Sequence, residues 1–177
     1  MSTQEIAAAM QRVKAILHRR PNAGLHPEAP ATARWEGGTR IVASHANGAH
    51  MATDMPSELG GAGNAVNVTP GWLFRAGFAS CAATCIAMGA AAQGIELESL
   101  EVVASSRSDL RGLLGMTDAD GEPVCAGPRD VELMVRIRAP GIPPDRLREL
   151  VEERYRCSPI SSAVASAMPV DLRIVID

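Results

Sequence analysis

Aromatic side chains are scarce: one Tyr, two Phe and two Trp make up 3% of 177 residues. So few rings exclude base-stacking platforms and aromatic cages as the basis of function. An excess of positive charge is missing too. Seventeen Lys and Arg stand against 20 Asp and Glu, for a formal net charge of −3, and no basic cluster offsets this balance. The chain has no electrostatic footprint for nucleic acid, and no such partner is expected. Its first residues, Met1-Ser2-Thr3-Gln4-Glu5, lack the basic and apolar regions of an export signal, so a cytoplasmic location is expected. Intracellular cysteines seldom form structural disulfides; they fill cores, bind metals or carry redox chemistry. The four here, Cys81, Cys85, Cys125 and Cys157, form no C-x-x-C, and all four His lie before position 51. Neither a zinc site nor a thioredoxin-type motif is expected, and no cofactor is implied.

Small apolar residues take the place of the missing groups. With 46% apolar and 21% charged residues, the chain is expected to fold as one globular domain with a real core and to act on something small. Residues 2–20 place Ile6, Met10, Val13 and Leu17 at helical intervals, with Ser2 and Glu5 at capping-box spacing. Pro21 and Gly24 end this amphipathic helix, and a Pro/Ala stretch to Pro30 follows. Residues 1–30 are therefore read as a helix and linker ahead of a domain at 31–177.

Strand-like runs at Thr32–Trp35 and Arg40–His45 flank Gly37-Gly38, and Asn47-Gly48 marks a second hairpin. A two-residue turn there sets His45 opposite His50. No third metal ligand is evident, so a solvent-facing cross-strand pair is expected. Gly60-Gly61-Ala62-Gly63 lacks the Lys-Ser/Thr of a phosphate loop and is read as conformational. Residues 70–92 are the most unusual segment. Pro70 suits a helix start and Gln93-Gly94 its end, with Leu73, Phe74, Phe78, Cys81, Cys85 and Met88 in an Ala-rich run between. A helix apolar nearly all round either spans a membrane or is buried. Arg75 and the many Ala, Gly, Ser and Thr leave little hydrophobicity for a span of ~20 residues, so a buried central helix and no membrane partner are expected.

Beyond it, Leu100, Val102 and Ala104, then Val131, Leu133, Val135 and Ile137, alternate as in half-buried strands. Asp118-Ala119-Asp120-Gly121 between them reads as a turn and not a calcium loop. Pro143-Pro144-Asp145 opens a helix with Leu147, Leu150, Val151 and Tyr155 on one face. Cys157-Ser158-Pro159 interrupts it, Ser161–Ala167 reads as a short helix, and Val170–Ile176 as a closing strand. The fold class is α+β, a mainly antiparallel sheet wrapped on the central helix.

On composition alone, Cys81 and Cys157 are small buried hydrophobes, and their spacing does not show that they meet. Their surroundings say more. Thr69-Pro70-Gly71-Trp72-Leu73 through Ala79-Ser80-Cys81 resembles the Pro-x-x-Leu…Ala-x-Cys signature of the osmotically inducible protein C / organic hydroperoxide resistance (OsmC/Ohr) family. Arg156-Cys157-Ser158-Pro159-Ile160-Ser161 is similar to that family's Cys-Pro-x-Ser stretch, and Asp54-x-Pro56 followed by Gly60-Gly61 resembles a common branch of it. The resemblance covers residues 31–177 and leaves out the first helix.

The resemblance implies an intertwined homodimer and a thiol peroxidase for organic hydroperoxides. Cys81 would be the peroxidatic thiolate, Cys157 the thiol that condenses with its sulfenic acid, and an external dithiol the reductant. Burial in an apolar helix disfavours a thiolate, and a mid-helix position gains little from the helix dipole, so a cation must help. Gly37-Gly38-Thr39-Arg40 resembles the family's Gly-Gly-Arg turn with one residue inserted, which assigns that cation to Arg40; Arg34 and Arg75 are substitutes. The competing reading of Arg40 is a solvated charge at a strand end. Where family peroxidases carry a Glu that orients the arginine, this chain has Gly71, with Glu58 or Asp54 as replacements. Cys85 is read as core and Cys125, in a Gly/Pro-rich loop, as a surface thiol. Two other functions compete: a non-catalytic dimer that binds a small apolar ligand, and a purely structural or adaptor dimer.

Overall fold

The computed structural model describes residues 2–62, 68–166 and 168–176. Gly63 of the glycine loop and Ala167 at the end of the expected short helix lie outside the described residues. The chain forms two compact units that interleave in sequence. The first comprises Met1–Ala8, Phe78–Arg107 and Pro128–Asp177, the second Ala9–Gly77 and Ser108–Gly127.

Helix α1 (Thr3–Arg19) starts from the capping box that the sequence announces. Ser2 N donates to Glu5 Oε2 at 2.6 Å, and Glu5 N donates back to Ser2 Oγ at 3.3 Å. This satisfies amides that have no partner inside the helix. A 3-10 turn at Pro21–Gly24 follows.

In the second unit, β1 (Thr32–Gly37), β2 (Arg40–Ser44) and β3 (His50–Thr53) form an antiparallel sheet in the order β1-β2-β3. Gly37 and Gly38, with φ of +117° and +55°, make the first turn, a conformation that side chains disfavour. The second turn corrects an expectation. His50 pairs with Ser44, not with His45. The loop is one residue longer than a two-residue hairpin. Gly48 N donates to His45 O, Gly48 takes φ +93°, and His45 N donates to Ala49 O. Asn47 Oδ1 accepts from Ala49 N at 2.9 Å, an Asx contact that fixes this wider turn. In the same unit a short helix, α3 (Leu110–Leu113), precedes the Asp118 turn. Asp118 Oδ1 accepts from Asp120 N and Glu122 N at 2.9 and 3.0 Å, as a turn-forming carboxylate does.

Helix α2 (Pro70–Ala92) runs as the sequence predicts. Thr69 Oγ1 accepts from Trp72 N at 3.1 Å at its start. At its end Gly94, with φ +69°, donates to Ala91 O while Ile95 N donates to Ala90 O, which is a Schellman closure. By length and composition α2 could cross a membrane. Its expected burial on all sides is corrected: one stripe, including Phe78, Ala82, Ile86 and Ala90, is buried in the chain. Trp72, Phe74 and Met88 remain about 40% exposed, because the chain packs only the Phe78–Ala90 stripe of α2 into its core.

The first unit pairs β4 (Ser99–Arg107) with β5 (Arg129–Arg138), antiparallel, with Leu100 opposite Ile137 and Val102 opposite Val135. One face is half-buried; the other carries Arg136–Glu101 and Arg138–Glu98 ion pairs at 2.6 and 3.0 Å. Helix α4 (Pro144–Arg156) and α5 (Pro159–Ala165) complete the unit. Ala90, Ile95, Ala139, Leu147 and Leu150 form its core. The expected closing strand is corrected: Val170–Ile176 joins no sheet among the described residues. Its apolar side chains are 75–90% exposed, since alternation gives a strand its faces but not the partner edge it needs.

Candidate active site

In the first unit two helices bring the residue after Cys157 to Cys81. Cys81 and Cys85 stand one turn apart on the same side of α2, as i and i+4 must. Gly89, a further turn along, lets the stem of Arg154 from α4 cross close by; a Cβ there would collide with Arg154 Cγ and Cδ. Four residues after Arg154, at the break between α4 and α5, Ser158 meets Cys81. The two helices therefore run antiparallel along this stripe.

Ser158 Oγ donates to Cys81 Sγ at 3.2 Å. Its oxygen also accepts from Ser161 N at 3.3 Å, as the N-cap of α5. The side chain is fully buried. One turn further, Ser161 Oγ is buried without a hydrogen-bond partner among the described residues.

Cys85 differs from its reading as core filler: it is half-buried, one helical turn from Cys81. Burial first, then the neighbouring Cys81 sulfur, pushes the Cys85 thiol above its ordinary range. Cys157 adds a weaker upward push. Cys157 itself is exposed and caps α4, its N–H donating to Arg154 O at 3.1 Å. The contact to Cys81 is thus made by the residue after Cys157. The spacing of the cysteines carried no sign of Ser158; only its place as a cap before Pro159 pointed to a fixed, inward hydroxyl.

In the second unit Arg40 opens β2, and its Nε meets Glu36 Oε2 at 2.9 Å across the Gly37-Gly38 turn. Asp54 is buried and clamps the glycine loop. Its Oδ1 accepts from Thr39 Oγ1 at 2.6 Å and Met55 N at 2.8 Å, and its Oδ2 from Ala62 N at 3.2 Å. Gly61 is needed here, because a Cβ would run into the Met55 carbonyl. Arg40, Asp54, Gly60 and Gly61 line a cavity of about 280 Å³. Glu58 instead faces solvent and accepts from Ser57 Oγ at 3.2 Å. Cys125 is exposed.

Helices packed with antiparallel strands make the chain an α+β protein. Within that class, residues 61–173 match the family model described as OsmC-like protein, and the chain belongs to this family. Among curated proteins no sequence matches. Solved structures share the fold. An OsmC-like protein from Mycoplasma pneumoniae superposes with TM-score 0.64 at 16% identity, covering 81% of this chain and 91% of that one. An organic hydroperoxide resistance protein from Elizabethkingia anophelis gives 0.57 at 21%, with 81% and 91% covered. The organic hydroperoxide resistance protein OhrB of Bacillus subtilis gives 0.52 at 23%, with 80% and 93% covered.

Proposed function

We propose that the protein is a cytoplasmic thiol peroxidase that reduces organic hydroperoxides. The Cys81 thiolate attacks the distal peroxide oxygen, the O–O bond breaks, and the alcohol leaves with a proton. Cys81 becomes a sulfenic acid. The Cys157 thiol condenses with it, releasing water and forming a disulfide that an external dithiol reduces. The observation that carries this reading is the 3.2 Å contact between Ser158 Oγ and Cys81 Sγ, which brings the second cysteine segment to the first. Family membership and structural neighbours named for hydroperoxide resistance support it. For Cys157 to reach Cys81, the α4–α5 junction rotates and Ser158 gives up its contacts. Arg40 is the activating cation by resemblance, and Glu36 takes the orienting role for which Gly71 has no carboxylate.

The working form is a homodimer. Trp35 is 72% exposed, α2 leaves large side chains uncovered, and Val170–Ile176 has no partner strand among the described residues. Light scattering at micromolar concentration is expected to give twice the chain mass; a folded monomer contradicts this. A second reading, binding of a small apolar ligand without catalysis, is favoured by one feature. Ile86, Leu133, Val135, Val151 and Tyr155, with Glu152 as the one charged group, line a cavity of about 250 Å³ in the first unit. The two readings separate in one assay. Protein supplied with a dithiol and cumene hydroperoxide is expected to consume peroxide catalytically. Peroxide left at its starting level contradicts the peroxidase.

A further inference from the structure

Cys81 has a buried hydroxyl donor within its own unit, Ser158 Oγ, 3.2 Å from its sulfur. We propose that Ser158 and Cys85 are positioning residues that form a two-donor cradle for the Cys81 sulfur, holding it ready as a nucleophile. This deepens the peroxidase reading and rests on it for its purpose.

The Ser158 hydroxyl has one proton to give. Its oxygen accepts from Ser161 N, and its O–H donates to Cys81 Sγ, 3.2 Å away. The chain from Ser161 N through Ser158 Oγ to Cys81 Sγ is one in which each bond polarises the next. Because Ser158 is fully buried, water does not compete for that proton. The second donor is Cys85. A residue four positions on in an intact helix lies alongside Cys81 but seldom reaches disulfide geometry, so its thiol serves Cys81 as a hydrogen-bond donor. A thiol pushed above its ordinary range by burial and by the neighbouring Cys81 sulfur keeps its proton, as a donor must. Hydrogen bonds to a charged form favour that form. The other titratable group acting on this pair is Cys157, from the α4–α5 junction.

The test is the pH profile of Cys81 alkylation by iodoacetamide, read by fragment-ion mass spectrometry, which separates Cys81 from Cys85 within one tryptic peptide. Ser158→Ala is expected to move the half-maximal pH for Cys81 upward by about one unit. Cys85→Ala should move it upward by less, and Cys85→Ser, which keeps a donor, should restore it. Ser158→Ala also removes a helix cap, so Cys85→Ala and Cys85→Ser carry the test if that variant fails to fold. An unchanged Cys81 midpoint in folded Cys85→Ala, or a midpoint in Cys85→Ser equal to that of Cys85→Ala, overturns the cradle. Alkylation uses no hydroperoxide. A shifted midpoint in a protein that consumes no peroxide keeps the cradle and removes the peroxidase. An unshifted midpoint in an active peroxidase does the reverse.

Discussion

The thiol cluster of the first unit and the arginine turn of the second are assembled by opposite means. Ser158 and Cys81 are 77 positions apart and meet only because α4 folds back along α2. Leu147 and Leu150 bury themselves beside Ala90, and a glycine at position 89 admits Arg154. Glu36 and Arg40, by contrast, are four positions apart and meet across two glycines at positive φ. The first arrangement depends on tertiary packing, the second on local turn chemistry. Each therefore has its own weak point. Damage to the α2–α4 seam should loosen the thiols and spare the arginine turn, and damage to the Asp54 clamp should do the converse.

The sharpest way to divide the two regions is at the sulfur. Cys81→Ser is expected to abolish hydroperoxide consumption with the fold unchanged by circular dichroism. Cys157→Ser should still complete one turnover and then stall, with sulfenic acid on Cys81 trapped by dimedone. If Cys157→Ser cycles at the wild-type rate, another thiol resolves the intermediate. Arg40→Met comes next in size. Stopped-flow oxidation should slow about tenfold, the equivalent of about 1.36 kcal/mol, while the melting temperature stays put. A wild-type rate across pH 5–9 would reduce Arg40 to a strand-end charge and move the search to Arg34 or Arg75.

Asp54→Ala acts on the frame of the second unit. It removes the acceptor of the Thr39 hydroxyl and of the Met55 and Ala62 amides, part-buried hydrogen bonds to a carboxylate worth about 1.5–3 kcal/mol each. Urea denaturation should show that loss, with Cys81 alkylation at neutral pH unchanged if the comparison holds. The smallest effect belongs to Ser2→Ala. It removes one half of an exposed capping box, lowers stability by about 1 kcal/mol, and leaves peroxide turnover alone.

The same contrast explains what could be read from the residues alone. The α2 boundaries, the α1 capping box, the Gly37-Gly38 turn and the strand alternation were legible, because each is decided within a few residues. The His45–His50 register was not, since it hinges on Asn47 closing a wider turn than Asn-Gly alone implies. Val170–Ile176 has the alternation of a strand, but a strand needs an edge, and alternation names none. The resemblance pointed to the cysteine segments of the site. Ser158 stayed hidden between them because an isolated serine has no periodicity, and only the α4–α5 break turns it inward. Cys85 was visible at i+4, yet a thiol in an Ala-rich run reads as filler until its neighbours are known.

The most direct test of the central claim is a thiol count. Fully reduced protein carries four free thiols. One equivalent of an alkyl hydroperoxide should leave two, with peptide mapping showing Cys81 joined to Cys157 within one chain. Four thiols still titratable after the peroxide, or a Cys81–Cys85 linkage as the main product, would contradict the account.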